Sequence, residues 1–228
     1  MVCAHEPFSA LASPLPAAVP TTLSASTAYH KHNLVDWGAV AITCAWGIPA
    51  TVAGSWASQL AGGHRLMELT ALFVIGLGVA VLRSSHEDQE DAEAQTVKYT
   101  LFGPLTGIAL SVGFLSGLLA NTGGILYAPL FMMLLCMPVK RALATSLIVS
   151  AVLAVPGTIS HWYLGHIDWK LVAALSVGTI PFSYLGAQLA IRLRSATLVK
   201  VYGVMLTLFG FYDLLYTERA HLPFGWFR

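Results

Sequence analysis

The chain has 228 residues, of which 10% are charged and 56% hydrophobic, and its formal net charge is +1. An average soluble domain carries about 25% charged residues, so an ordinary soluble domain is excluded, and the near-neutral charge gives nucleic acid no electrostatic footing as a partner. A mean hydropathy of +0.70 points instead to a polytopic helical membrane protein, whose segments must each cross a hydrocarbon core about 30 Å thick.

The amino-terminal stretch Met1 to Ser9 lacks the basic region of a secretory signal and carries His5 and Glu6, so no cleavable signal is expected. Apolar spans are predicted at about 8–29, 37–60, 66–83, 100–119, 123–137, 142–163, 171–191 and 198–216. That is an all-α fold of about seven to eight transmembrane segments. The first span is the weakest, because Pro14, Pro16 and Pro20 interrupt it, Pro7 stands just before it and its second half is rich in Ser and Thr. Cys3, Cys44 and Cys136 stand alone among apolar neighbours without CxxC spacing and read as small buried hydrophobes.

Between the third and fourth spans, His86 to Glu93 holds five of the eleven acidic residues and no apolar run, so it must lie in water. It divides the chain into a first transmembrane half over 1–83, an acidic linker over 84–98, a second half over 99–217 and a tail over 218–228. The halves are related. At a constant separation of 132 residues, Asp36-Trp37 pairs with Asp168-Trp169 and Ile48-Pro49 with Ile180-Pro181. The same offset pairs Gly54 with Gly186, Leu66 with Leu198, and Gly78 with Gly210. Residues 100–132 have no counterpart at that offset, so the halves are unequal.

If all eight segments cross, Lys31, Arg83, Lys98, Lys140, Arg141, Arg192, Arg194 and Lys200 collect on one side. That side is expected to be cytoplasmic, which makes the duplication an inverted repeat. A re-entrant 123–137 would make the repeat parallel instead.

The chemistry concentrates in Gly113 to Pro129, GFLSGLLANTGGILYAP. Gly113 and Gly117 form a small-xxx-small pair that allows close helix approach. Asn121, Thr122, Gly123 and Gly124 put two polar side chains and two adjacent glycines inside an apolar stretch, and each glycine costs roughly 1 kcal/mol of helix stability. A broken or re-entrant helix is expected there, its freed N–H groups able to meet an anion. A close helix crossing or a turn between two short helices is the competing reading. Thr145 and Ser146 either bond their own helix carbonyls or face the same cavity.

Few ionisable groups enter the spans. His30, His32, His161 and His166 lack metal-pair spacing and are expected at the interface. Trp37, Trp162 and Trp169 fit an interfacial belt, and Asp213 lies late in the last span. No proton relay, catalytic fingerprint, metal set or cofactor motif is found, so no enzyme and no cofactor are expected.

The glycine segment, the proline, the Lys140-Arg141 pair, ALATSL over 142–147 and GHIDW over 165–169 resemble the TauE/SafE sulfite exporter family, also called TSUP. Gly113, Gly117, Gly123, Gly124, Pro129, Ala142, Ala144, Thr145 and Ser146 match its second-half pattern, while Ala120 and Thr122 stand where glycine is common. The first-half copy of the glycine segment is missing. The resemblance implies a multi-pass protein of a bacterial inner membrane that moves a small anion such as sulfite, a sulfonate or a related organic acid. Asn121 to Gly124, Thr145 and Ser146 would line the binding site, with Gly113, Gly117 and Pro129 structural. The partners implied are the anion and the lipid bilayer, with homo-oligomerisation left open. A non-transporting or truncated membrane subunit is the alternative, and a membrane-embedded enzyme a more distant one.

Overall fold

A computed structural model describes residues 14–57, 63–83, 102–118, 124–163, 165 and 167–220, and among these it contains helices and no strand. In chain order the helices are α1 Pro14–His30, α2 Trp37–Ala57, α3 Gly63–Arg83, α4 Phe102–Leu118, α5 Gly124–Leu134, α6 Val139–Tyr163, α7 Trp169–Arg192 and α8 Ser195–Ala220. Each sits on one of the eight apolar spans. The helices α2, α6 and α7, with Ser195–Tyr212 of α8, are long and apolar enough to cross a membrane. At 1.5 Å per residue the 11-residue α5 is only about 16 Å long, too short to cross alone. The acidic linker over 84–98 lies outside the described residues.

Local chemistry sets where the helices begin and stop. Asp36 caps α2, its Oδ1 accepting the N–H groups of Gly38 and Ala39 at 3.1 Å each. Asp168 caps α7 in the same way through Lys170 and Leu171. The repeated Asp-Trp is therefore a helix start used twice. At the other end of α5, Cys136 adopts a left-handed φ of 49° and the Met137 N–H bonds Phe131 O at 3.2 Å, which closes the helix before Pro138.

The 132-residue offset is carried by the helices themselves: α2 and α7 begin at Trp37 and Trp169, and α3 and α8 at Gly63 and Ser195. The related helices α3 and α8 lie against each other antiparallel. Gly78 abuts Leu206 and Thr207, Gly203 abuts Leu82, and Gly210 abuts Ala71 and Ile75, so one number rises as the other falls. The two halves are inverted relative to each other. A second pair of contacts obeys the same operation. Thr21 of α1 bonds Thr179 of α7 at 2.7 Å, and their counterparts, Leu153 of α6 and Gly47 of α2, meet as well.

The centre of the bundle is α2, which runs parallel to both α4 and α6. Gly113 lies against Gly47 and Ala50, and Gly117 against Thr51 and Ser55. On the α6 side Gly47 meets Leu153, and Thr51 meets Gly157. Added methyls at Gly54 and Gly117 would overlap the backbone carbonyls of Phe114 and Thr51 respectively. The backbones are in contact, as small-xxx-small packing in lipid requires. By contrast α7 shows its outer face to lipid, with Val177 77% and Phe182 74% exposed. Gly186, the counterpart of Gly54, has nothing within 4 Å among the described residues.

That asymmetry gives a paired prediction. Gly54→Val must separate α2 from α4 and is expected to cost at least the roughly 1–3 kcal/mol of overpacking. Gly186→Val, at the repeat-related position, should stay within about 0.5 kcal/mol. Thermal unfolding of the two variants in detergent, beside the wild type, reads the difference.

Candidate functional site

The interior is largely apolar, set with neutral hydroxyls and almost without charge. Ser26, Thr43, Thr51, Ser55, Ser116, Thr145, Ser146 and Ser150 are buried there, accompanied by Asp36 and His161. Asp36 is already committed as a cap. His161, expected at the interface, is instead fully buried, with Nε2 3.1 Å from the Gly117 carbonyl oxygen. Since a carbonyl only accepts, Nε2 carries the proton in this contact. The correction has a simple cause: the glycine at 117 lets α4 come close enough for α6 to bury the ring. The tryptophans behave as expected, Trp37, Trp162 and Trp169 being 57%, 57% and 53% exposed.

Of the residues singled out in the sequence, Asn121, Thr122 and Gly123 lie outside the described residues, and Gly124 is the first residue of α5. The expected break over 121–124 thus falls mostly outside the described residues, with α4 ending at Leu118 and α5 beginning at Gly124. Pro129 is buried within α5, and Gly113 and Gly117 form the α2–α4 crossing.

Thr145 is fully buried at the start of α2, where its Oγ1 accepts the Asp36 N–H at 3.1 Å. Ser146 donates to its own helix, to Leu143 O at 2.9 Å. The end of α4 that leads into the break sits beside Gly54, 18 residues after Asp36 along α2 and therefore roughly 27 Å from Thr145. Thr145 and Ser146 thus mark one end of α2, and the end of α4 lies toward the other.

Between those ends is a stripe that the sequence reading passed over. Thr43, Gly47, Thr51 and Ser55 recur at four-residue spacing on α2, with Gly47 and Thr51 meeting both α6 and α4 and Ser55 meeting α4. That spacing of small polar residues is a sequence signal; it was masked by the apolar residues around it. Tyr127 of α5 is fully buried, and its hydroxyl lies 3.5 Å from where a Cβ on Gly47 would be. Among the described residues no group of three His, Cys, Asp or Glu side chains is placed to hold a metal.

An all-helical bundle with helices able to cross a membrane is in keeping with the comparisons with known proteins. The sulfite exporter TauE/SafE family matches residues 1–212. The chain belongs to that family. It is 29% identical over 204 residues to the probable membrane transporter protein YunE of Bacillus subtilis, covering 83% of this chain and 74% of that one. It is 30% identical over 149 residues to a probable membrane transporter protein of Methanocaldococcus jannaschii, covering 62% of this chain and 53% of the relative. With the probable membrane transporter protein MamO of Magnetospirillum gryphiswaldense it shares 24% identity over 204 residues, 75% of this chain and 32% of that one. No solved structure matches the chain. This member of the TauE/SafE family is a multi-pass membrane transporter and not an enzyme.

Thr145 has a testable structural duty. Thr145→Val removes the acceptor for a buried N–H and is expected to cost about 1–3 kcal/mol, whereas Thr145→Ser keeps the oxygen and should recover most of it. Unfolding midpoints of the two variants in one detergent check the contrast.

Proposed function

We propose that this transporter is a permease for a small anion, with sulfite, sulfonates and related sulfur-containing or organic acids as its substrate class, in the inner membrane of a bacterium. The observation that carries this reading is the character of the polar groups buried in the apolar core: hydroxyls and the His161 imidazole, with Asp36 as the one buried carboxylate among the described residues and that one bonded as a helix cap. Neutral donors hold an anion and still release it, whereas a desolvated guanidinium would bind it tightly in a bidentate grip. The name of the matching family supports the same substrate class.

On this reading the anion meets the protein at more than one depth. Asn121, Thr122, Gly123 and Gly124, in the segment that joins α4 to α5, supply side-chain and backbone donors. Thr145 and Ser146 stand toward the opposite end of α2, where the route leaves the bundle. Transport sites in duplicated carriers lie where the halves meet, near the midplane; here the halves meet along α2–α4, α3–α8 and α1–α7, and α2 also touches α6 at Gly47 and Thr51.

The reading is tested by flux of sulfite, thiosulfate, sulfate, a short sulfonate and acetate into proteoliposomes holding the full chain. Saturable flux of at least one, reduced at least tenfold by Asn121→Ala at equal insertion, is expected. Absence of flux for every anion from well-folded, inserted protein would contradict the permease and favour a subunit that does not itself transport.

A further inference from the structure

Hydroxyls inside apolar helices ordinarily donate to the carbonyl three or four residues back. In this bundle Thr21, Ser55, Ser111, Ser150, Ser176 and Thr207 all do so. Four hydroxyls break that habit, Thr158 of α6 and three around Gly47. The oxygens of Thr43, Thr51 and Tyr127 are buried without a hydrogen-bond partner among the described residues, and the residues are 0%, 1% and 0% exposed. A buried polar group left unpaired is costly and rare, and it calls for an explanation such as an absent ligand. Three of them gathered at one place make an accident of packing a poor account.

Their arrangement is ordered. Thr43, Gly47 and Thr51 follow one another along a single face of α2, each step being about 6 Å. The Tyr127 hydroxyl comes in from α5 beside Gly47, the middle of the row. Gly47 is also the midpoint of α2, and it touches Leu153 near the middle of α6. The row therefore crosses half depth at the contact between the first and second halves. Thr43 and Thr51 are about 12 Å apart along the helix, too far for one small anion to bridge. Tyr127, between them, is one step from each.

We propose that Thr43, Tyr127 and Thr51 form a hydroxyl ladder that carries the anion across the midplane, each O–H donating to an oxygen of the anion and passing it about 6 Å to the next. This inference rests on the permease reading and adds to it three residues that no motif marks. A row of single neutral donors binds weakly at several places in succession, which is the requirement for passage and not for storage. The absence of a side chain at Gly47 lets the Tyr127 hydroxyl and Leu153 come in against the α2 backbone at the middle rung. An anion on the ladder pairs hydroxyls that the protein alone leaves unpaired, so the cost of keeping them is recovered during transport.

The test uses the full chain in proteoliposomes, with sulfite as the probe and Thr43→Val, Thr51→Val and Tyr127→Phe as near-isosteric variants. Each is expected to raise KM or reduce maximal sulfite flux about three- to tenfold, the worth of one neutral hydrogen bond. Ser111→Ala, which removes an ordinary back-bonded hydroxyl of α4, should leave flux unchanged. Melting in detergent separates a ligand role from a structural one: the three variants should melt at or above the wild-type midpoint, since each deletes an unpaired group. Added sulfite should raise the wild-type midpoint more than theirs. Wild-type flux with all three variants unaltered overturns the ladder and leaves the permease standing, as does a flux loss that merely follows a lowered melting midpoint. A wild type that moves no anion in the panel overturns both.

Discussion

Lipid gives helices no hydrophobic reason to associate, so a membrane bundle is held by how closely its backbones can approach. In this protein that constraint falls on α2. Gly47, Gly54, Gly113 and Gly117 leave the backbones of α2 and α4 touching, and Gly47 and Gly157 admit α6 on the neighbouring side. Register, direction and depth follow from those contacts. So does the burial of His161, which reaches the Gly117 carbonyl only because α4 has come so near. The Tyr127 hydroxyl meets the row on α2 at Gly47 for the same reason.

Inversion of the halves adds a second condition. A two-fold operation that relates Thr21 and Thr179 to Leu153 and Gly47 puts the same backbone geometry to two uses. On the α1–α7 side two threonines bond each other, and the contact is closed. On the α2–α6 side a glycine and a leucine stand at the equivalent positions, and the unpaired hydroxyls gather beside them. Duplication sets the frame, and divergence of the two copies places the polar row on one side of it.

Much of the frame was legible in the sequence because it depends on local chemistry. Eight apolar runs are eight helices, since each run must satisfy its own backbone in hydrocarbon. Asp36 and Asp168 were visible as a repeated pair because a cap acts within three residues of itself. The site was less legible, for reasons of range. Whether Thr51 bonds its own helix or nothing depends on which side of α2 meets Gly157, which lies 106 positions away. The remoteness of Thr145 from the end of α4 depends on the parallel register of α2 and α4, which no spacing within one helix reveals. His161 was read as interfacial because it stands near a helix end, but its burial is decided by a glycine on another helix.

The central claim is that the contact between α2 and α6 is the route of the anion, and its most direct measurement is chemical access to the middle of α2. With Cys3, Cys44 and Cys136 replaced by alanine, Thr51→Cys would be treated with a small, charged, membrane-impermeant thiol reagent in the presence and absence of sulfite. The account predicts that the reagent reaches this buried position and that sulfite slows its reaction. A thiol that reacts only with lipid-soluble reagents, at a rate indifferent to sulfite, would mean that no polar route passes between α2 and α6.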